Sequence, residues 1–363
     1  MRVASFALMV AIFFVSGLCL KTRELKAAFR RRSIAGTTWG LLAICAVTPT
    51  LGFAVRLIRL VPQEYITGLV VLLASPTTLG VGISMTQRSR GNVGLAIALT
   101  VISNAVGVAI MPLWLQALVG SQRALAKPVP ALIAKLTVSN FVPTLVGKAL
   151  RELSPKRAAP WADRNKPRLG VLSNLCLAVI ILQNISGARD ELLGTSVGVF
   201  FAVVALAIGY HALFLAVNWA ALALLRVPAP EFAASLILAS QKSAPVALTA
   251  IEFITDDLSV QGLLAVPCVL GQLGQVFMGH PITAALGRRI ARDEEEEGRR
   301  AEVEREGAAA AAVAAAGDAE AAADGGVDAA VAVAGGGRGG GGRGGGGERA
   351  GALDGVSGPA AAK

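Results

Sequence analysis

The chain has 363 residues, 54% hydrophobic and 16% charged, with a mean hydropathy of +0.62. Soluble domains hold about 45–50% apolar residues, so these values exclude an ordinary soluble globule. The net charge of +10 averages two unlike parts: residues 1–292 carry 27 Lys/Arg against 10 Asp/Glu, and residues 293–363 carry 7 against 14. The basic excess belongs to the loops of the apolar part, where Lys and Arg gather on the cytoplasmic side of a membrane; it is a poor argument for nucleic acid.

About 20 apolar residues cross a bilayer, and the sequence predicts nine spans: 4–20, 36–58, 64–87, 92–118, 129–150, 169–186, 194–225, 232–253 and 259–286. The first could be taken for a signal peptide. Its apolar run ends in Lys21 and Arg23 without a small-residue cleavage site, so it reads as a retained span. The loops support the count. Loop one carries Lys21, Arg23, Lys26 and Arg30 to Arg32, loop three Arg88 and Arg90, and loop five seven Lys/Arg between Lys148 and Arg168. Arg226 and the group Arg288, Arg289, Arg292 follow in the seventh loop and after the last span. The alternate loops hold only Arg56, Arg59, Arg123, Lys127 and Arg189. The odd loops and the C-terminal side are therefore expected in the cytosol or its equivalent, and the N-terminus on the other side.

Two spans are interrupted. In the third, ASPTTLGVGISMTQ at 74–87 sets Pro76, Thr77, Thr78, Gly80 and Gly82 among aliphatic residues. In the eighth, ASQKSAPVALTAIE at 239–252 sets Ser240, Gln241, Lys242, Ser243 and Pro245 in the same way. Unwound backbone at membrane depth is tolerated where it is buried in protein or lines a polar cavity. Two such segments in matching places of two halves point to a transporter binding site; unrelated proline kinks are the plainer alternative.

Lys242 is costly in a span and marks function by default. Its ammonium can replace a coupling cation, pair an anionic substrate, or carry a proton. The structural alternatives are snorkelling and an ion pair with Glu252, which about 15 Å of rise excludes within an unbroken helix. Glu252, Asp256 and Asp257 read as an interfacial cluster. Thr77, Thr78, Ser240 and Ser243 can coordinate an ion or merely satisfy the helix backbone. Asn104 is a cavity candidate, with interhelical hydrogen bonding as its equal alternative; Asn92 opens the fourth span, which also holds Ser103. Gln272 and Gln275 follow helical spacing and can face the same core. His211 and His280 read as structural or interfacial, and Lys135 as a snorkelling lysine. Cys19, Cys45, Cys176 and Cys268 lie in apolar runs without a CxxC pair and read as small core residues. No P-loop or HExxH occurs, so no enzyme or ATP-driven pump is expected.

From Asp293 the sequence is low in complexity, acidic and then rich in Ala and Gly, with GGGRGGGGRGGGG at 335–347. It is expected to be a disordered tail (293–363) behind a transmembrane domain (1–292). Its two RGG-like arginines are a weak case for RNA.

The blocks SPTTLGVGISMTQ and GNVGLAIALTVISN, then SQKSAPVALTAIEF and GLLAVPCVLGQLGQVFM, resemble the bile acid:sodium symporter superfamily. They are most similar to its branch of plant chloroplast sodium/metabolite cotransporters and vertebrate solute carrier family 10 member 7. FVSGLCLKTRELKAA at 14–28 and VPQEYITGLV at 61–70 extend the likeness over residues 5–290. The resemblance implies an all-α polytopic inverted-repeat transporter of ten helices, in which two broken helices cross within a core that moves against a panel. The nine spans match that pattern with its first helix missing; a nine-helix protein is the alternative. In the bile-acid branch a glutamate lies four residues before the glutamine that corresponds to Gln241; here that position is Ile237. Val81-Gly82 stands where that branch has serine-asparagine. Thr100 and Gln241 still match its ion site, so Na+ as coupling ion is implied at those two residues and opposed by the lost oxygen ligands.

The reading is a secondary transporter of a small organic anion working by alternating access, coupled to Na+, to protons, or uncoupled. Pro76, Thr77, Thr78, Thr100, Asn104, Ser240, Gln241, Lys242 and Pro245 are the expected substrate- and ion-binding residues. A membrane regulator of calcium or sodium homeostasis or secretory function, moving no organic solute, is the alternative. No cofactor beyond Na+ and no nucleic acid is expected; membrane lipid is, in the chloroplast envelope or in a plasma or secretory membrane.

Overall fold

The computed structural model describes residues 2–22, 34–78, 80–120 and 128–334. Every regular element among them is a helix. In chain order these are α1 (Arg2–Cys19), α2 (Ile34–Val55), α3 (Glu64–Ala74), α4 (Val81–Arg88), α5 (Val93–Val119), α6 (Val129–Leu153) and α7 (Ala158–Gly187). A short α8 (Arg189–Gly194) precedes α9 (Val197–Leu224), α10 (Ala229–Ser240), α11 (Ala244–Ile254) and α12 (Leu258–Ala334). Six helices, α2, α5, α6, α7, α9 and α12, are long and apolar enough to cross a membrane. The expected third and eighth spans are each two shorter helices, α3/α4 and α10/α11. The sixth begins earlier than expected, at Ala158, because Pro167 is carried inside the helix. The loop charges Arg23, Lys26, Arg30 to Arg32, Arg123 and Lys127 lie outside the described residues.

The chain divides into two units, Met1–Glu295 and Glu296–Lys363. In the first, α1, α6 and α7 pack on one another. Gly17 and Gly147 make that approach close: a Cβ at Gly17 would lie 2.0 Å from the Thr144 carbonyl oxygen, and one at Gly147 2.1 Å from that of Phe14. Arg151 pins the same three helices at one end. It donates to the Leu18 carbonyl at 3.0 Å and to both oxygens of Asp163 at 2.9 and 3.0 Å. The remaining helices gather around α10, which touches α2, α4, α5 and α9. A large apolar cluster runs from Leu69, Leu72 and Leu73 of α3 through Leu248 and Ile251 of α11 to Leu264 and Cys268 of α12. The two groups meet where α6 packs on α5 and α11, and there the Lys135 ammonium lies 4.7 Å from the centre of the Phe253 ring.

The second unit is helical as far as Ala334. Composition gives no apolar face to fold it, but Ala, Glu and Arg are strong helix formers, and every side chain from 296 to 315 is exposed. The glycine-rich run at 335–347 lies outside the described residues.

Of the acidic residues near the end of the eighth span, Asp257 has a definite task. It caps α12, accepting from the Ser259 amide at 2.9 Å and the Ser259 hydroxyl at 3.0 Å. Those bonds, the hydroxyl's first, hold its carboxyl below the usual range. A carboxyl lowered by folding stabilises above its unfolded value and loses that contribution as pH falls through the lowered folded value. The protection of the Ser259 and Val260 amides, their exchange relative to the intrinsic rate at each pH, is therefore expected to hold from neutral pH down to the ordinary carboxylate range and to fall in stronger acid. Asp257→Ala should lack that protection at every pH; protected Ser259 and Val260 amides in that variant would remove the cap.

Candidate functional site: the crossing of two broken helices

Helix α3 stops at Ala74 because Pro76 follows, and the residue before a proline is driven out of the helical region. Ser75 accordingly sits at φ −71°, ψ 153°. Helix α10 stops at Ser240, with Gln241 and Ser243 extended and Pro245 in the first turn of α11. Each break leaves backbone carbonyls and amides without helical partners, and the two breaks supply one another. The Ser243 amide donates to the Pro76 carbonyl at 2.9 Å. Thr77 Oγ1 donates to the Leu238 carbonyl at 2.5 Å, and Thr78 Oγ1 to Gln241 Oε1 at 3.2 Å. Thr78 Oγ1 also accepts from the Gly82 amide at 2.9 Å, which ties it to the first turn of α4.

Helix α5 lies alongside. Thr100 Oγ1 donates to the Ala96 carbonyl at 2.8 Å and reaches the Thr78 carbonyl at 3.4 Å. Asn104 Nδ2 donates to the Thr77 carbonyl at 3.2 Å and the Thr100 carbonyl at 2.8 Å. A Cβ on Gly107 would meet Pro76 at 3.2 Å, so this turn of α5 packs directly on the break. Helix α12 closes the other side: Gln275 Oε1 accepts from the Lys242 amide at 2.9 Å, and Gln272 Oε1 from the Ala244 amide at 3.2 Å. The two glutamines thus satisfy backbone donors at the start of α11.

Lys242 stands at the centre with no exposed surface. Its ammonium donates to the Ser75 carbonyl at 2.9 Å and the Ile44 carbonyl at 3.0 Å. The ion pairs formed by described residues lie elsewhere, so Lys242 neither snorkels nor pairs with Glu252. Ile44 belongs to a π-helical turn of α2, Ala43–Val47. There the Thr48 amide bonds the Ala43 carbonyl, and the next donor along the turn is missing because residue 49 is proline. The Ile44 oxygen therefore has no backbone donor at that position; it accepts from the Thr48 hydroxyl at 3.3 Å and, more closely, from the lysine.

The nine expected residues converge on this crossing: Pro76, Thr77, Thr78, Thr100, Ser240, Gln241 and Lys242 are buried, and Asn104 and Pro245 are half-buried. Thr78 Oγ1, the Thr78 carbonyl, Thr100 Oγ1 and Gln241 Oε1 form one group of uncharged oxygens, the donor chemistry a hard monovalent cation takes. The Gln241 amide nitrogen is spent on Met85 Sδ at 2.8 Å. Of the outer supports, the sequence reading named His211 only as structural or interfacial and did not name Asn218 or Trp39. His211 Nδ1 bonds the Ser240 carbonyl at 3.1 Å, Asn218 Nδ2 donates to Ser240 Oγ at 3.1 Å, and Trp39 Nε1 donates to Asn218 Oδ1 at 3.0 Å. A seven-residue separation on α9 was the available signal for His211 and Asn218. His280 is outside the crossing, exposed and 3.2 Å from an Arg88 guanidinium nitrogen.

Thr77→Val keeps the side chain's shape and removes its donor, leaving the Leu238 oxygen unsatisfied in a buried place. An unmet buried acceptor costs about 1–3 kcal/mol, so the purified variant should melt measurably lower; an unchanged melting temperature would show that this bond does not hold the crossing.

The sequence profile of the SBF-like CPA transporter family matches residues 1–288. The chain belongs to that family. Its members bear out the likeness read from the motifs. Among the relatives is the probable chloroplastic sodium/metabolite cotransporter BASS4 of Oryza sativa subsp. indica, 35% identical over 277 residues, 74% of this chain and 65% of the relative. The protein of the same description from Arabidopsis thaliana is 31% identical over 274 residues, 74% of this chain and 62% of the relative. Sodium/bile acid cotransporter 7 of Xenopus tropicalis is 25% identical over 183 residues, 47% of this chain and 48% of the relative. The chain thus spans less than two-thirds of the length of these family members. With its family and its apolar spans, it is an integral membrane protein.

Proposed function

We propose that this protein is a secondary transporter of a small organic anion. The observation that carries this reading is the buried crossing of two broken helices with the Lys242 ammonium at its centre. Broken helices with freed backbone groups serve substrate and ion sites in transporters. The half-helices α4 and α11 begin at the crossing, and their N-termini add partial positive charge there. A fixed cation with two such termini favours a negatively charged solute. In this reading the crossings belong to an inverted repeat of the family's kind. Helices α1, α6 and α7 act as the panel, the group around α10 moves against it as the core, and the tail after 292 forms no part of the translocating body. The small organic solutes and sodium in the relatives' names support the solute class, and the group around Thr78, Thr100 and Gln241 is where a Na+ ion would travel with it.

The test is uptake of radiolabelled short-chain mono- and dicarboxylates into proteoliposomes, under a Na+ gradient, a proton gradient, or neither. Accumulation of a carboxylate that Thr100→Val and Gln241→Ala reduce supports the reading. Absence of uptake for every carboxylate under all three gradients would favour the membrane-regulator alternative.

A further inference from the structure

The partners of Lys242 are unusual for a buried lysine. Its ammonium is held by two uncharged carbonyl oxygens that three separate departures from regular helix put within reach. Helix α3 ends at Ala74, which frees the Ser75 oxygen. The π-turn Ala43–Val47, followed by Pro49, removes the main-chain donor of the Ile44 oxygen and leaves it a longer bond from the Thr48 hydroxyl at 3.3 Å. The break after Ser240 brings residue 242 between them. Freed main-chain carbonyls converging on a point inside a membrane are how a protein replaces the hydration shell of a bare monovalent ion. Here the point is taken by a primary ammonium. It is a compact charge with three donors and stands 2.9 and 3.0 Å from the two oxygens.

We propose that the carbonyls of Ile44 and Ser75 form a cation seat that the Lys242 side chain fills as a tethered ion, so that no free cation enters at this point of the crossing. The proposal rests on reading the crossing as the transport site. It concerns the carbonyls around Lys242, not the separate oxygens of Thr78, Thr100 and Gln241. The charge that steadies the opposed carbonyls is therefore carried by the side chain itself and needs no ion from solution. Shortening the side chain should turn the seat into a real ion site, because the two carbonyls would then face a cavity with room for a small cation and water.

The experiment measures the melting temperature of the purified full-length protein in NaCl, KCl and choline chloride at equal ionic strength, and in propylammonium chloride. The wild-type protein, Lys242→Ala and Lys242→Met are compared. Subtracting the wild-type shifts removes any ion site that all three share. In Lys242→Ala, Na+, K+ or propylammonium is expected to raise the melting temperature relative to choline by about 5 °C more than in the wild type, at a hundredfold excess over the dissociation constant. Propylammonium, which with alanine rebuilds the lysine's length and charge, should restore the most. Lys242→Met, whose side chain still fills the space, should respond little. A Lys242→Ala protein that melts alike in all four salts, that responds no more than the wild type, or that stays unfolded in all of them would overturn the proposal. So would a cation response in Lys242→Met as large as in Lys242→Ala. Carboxylate uptake is measured separately, so the seat can fail while transport stands, and transport can fail while the seat stands.

Discussion

Lys242→Met is expected to lower the rate of carboxylate uptake by about 100-fold. The change removes two hydrogen bonds from a charged donor, and bonds to charged groups contribute about 1.5–3 kcal/mol each. Loss of about 3 kcal/mol corresponds to about 100-fold in a rate. Methionine also leaves the Ile44 and Ser75 oxygens buried and without that donor. Initial rates over a range of substrate concentration give KM and the maximal rate separately. If the charge attracts the anion, KM rises; if it steadies the crossing through the conformational change, the maximal rate falls. Uptake within about threefold of wild type, less than 1 kcal/mol, would show that the lysine does neither.

The second large effect is steric. Gly68 in α3 lies against α12 so closely that a Cβ would sit 2.2 Å from the Leu264 carbonyl oxygen and 2.6 Å from Pro267 Cγ. The Gly68 carbonyl also accepts from Cys268 Sγ at 3.3 Å. A clash with backbone and with a proline ring cannot be relieved by turning a side chain, so Gly68→Ala must move one helix. Overpacking of this kind costs about 1–3 kcal/mol and occasionally more. The displaced helix is the one that delivers Ser75 to Lys242, so the variant should lose both melting temperature and uptake. Gly209→Ala in α9 is the control: nothing stands within 4 Å of a Cβ there, and alanine's better helix propensity should leave stability equal or slightly higher. Equal melting temperatures for the two variants would refute the close approach of α3 and α12.

The breaks were legible because proline and small hydroxyl residues have few other uses in an apolar run. Pro76 with Thr77 and Thr78, and Gln241 to Pro245, mark the two ends that meet. Gln272 and Gln275 were legible as a pair on one face, though not as partners for the amides of Ala244 and Lys242. What the sequence did not disclose is which carbonyls receive the lysine. A carbonyl belongs to every residue, and Ile44 is an ordinary aliphatic side chain in an ordinary span. The only local trace is Pro49, five residues on. The same trace recurs in α6, where the π-turn Thr137–Phe141 is followed by Val142 and Pro143. Trp39 escaped because a single polar group in a span gives no period, and its bond to Asn218 forms only when α2 and α9 come together. The helix from 296 to 334 has a different reason: propensity alone can hold a run of Ala, Glu and Arg in helix without any apolar partner.

The π-turn in α2 also acts as a phase marker. Ahead of it Gly36 and Gly40 face Ser235 and Leu99; behind it Gly52 faces Leu118. One extra residue in a single turn sets the angle between these two halves. Deleting any one residue from 43 to 47 would return the segment to 3.6 residues per turn and rotate everything on one side by about 100°. The Ile44 oxygen and the far contacts of α2 could not then both be kept. The chain's tolerance for insertions and deletions should therefore be lowest in this apparently featureless stretch of Ala, Ile, Cys and Val, and no substitution of one aliphatic side chain for another there would reveal it.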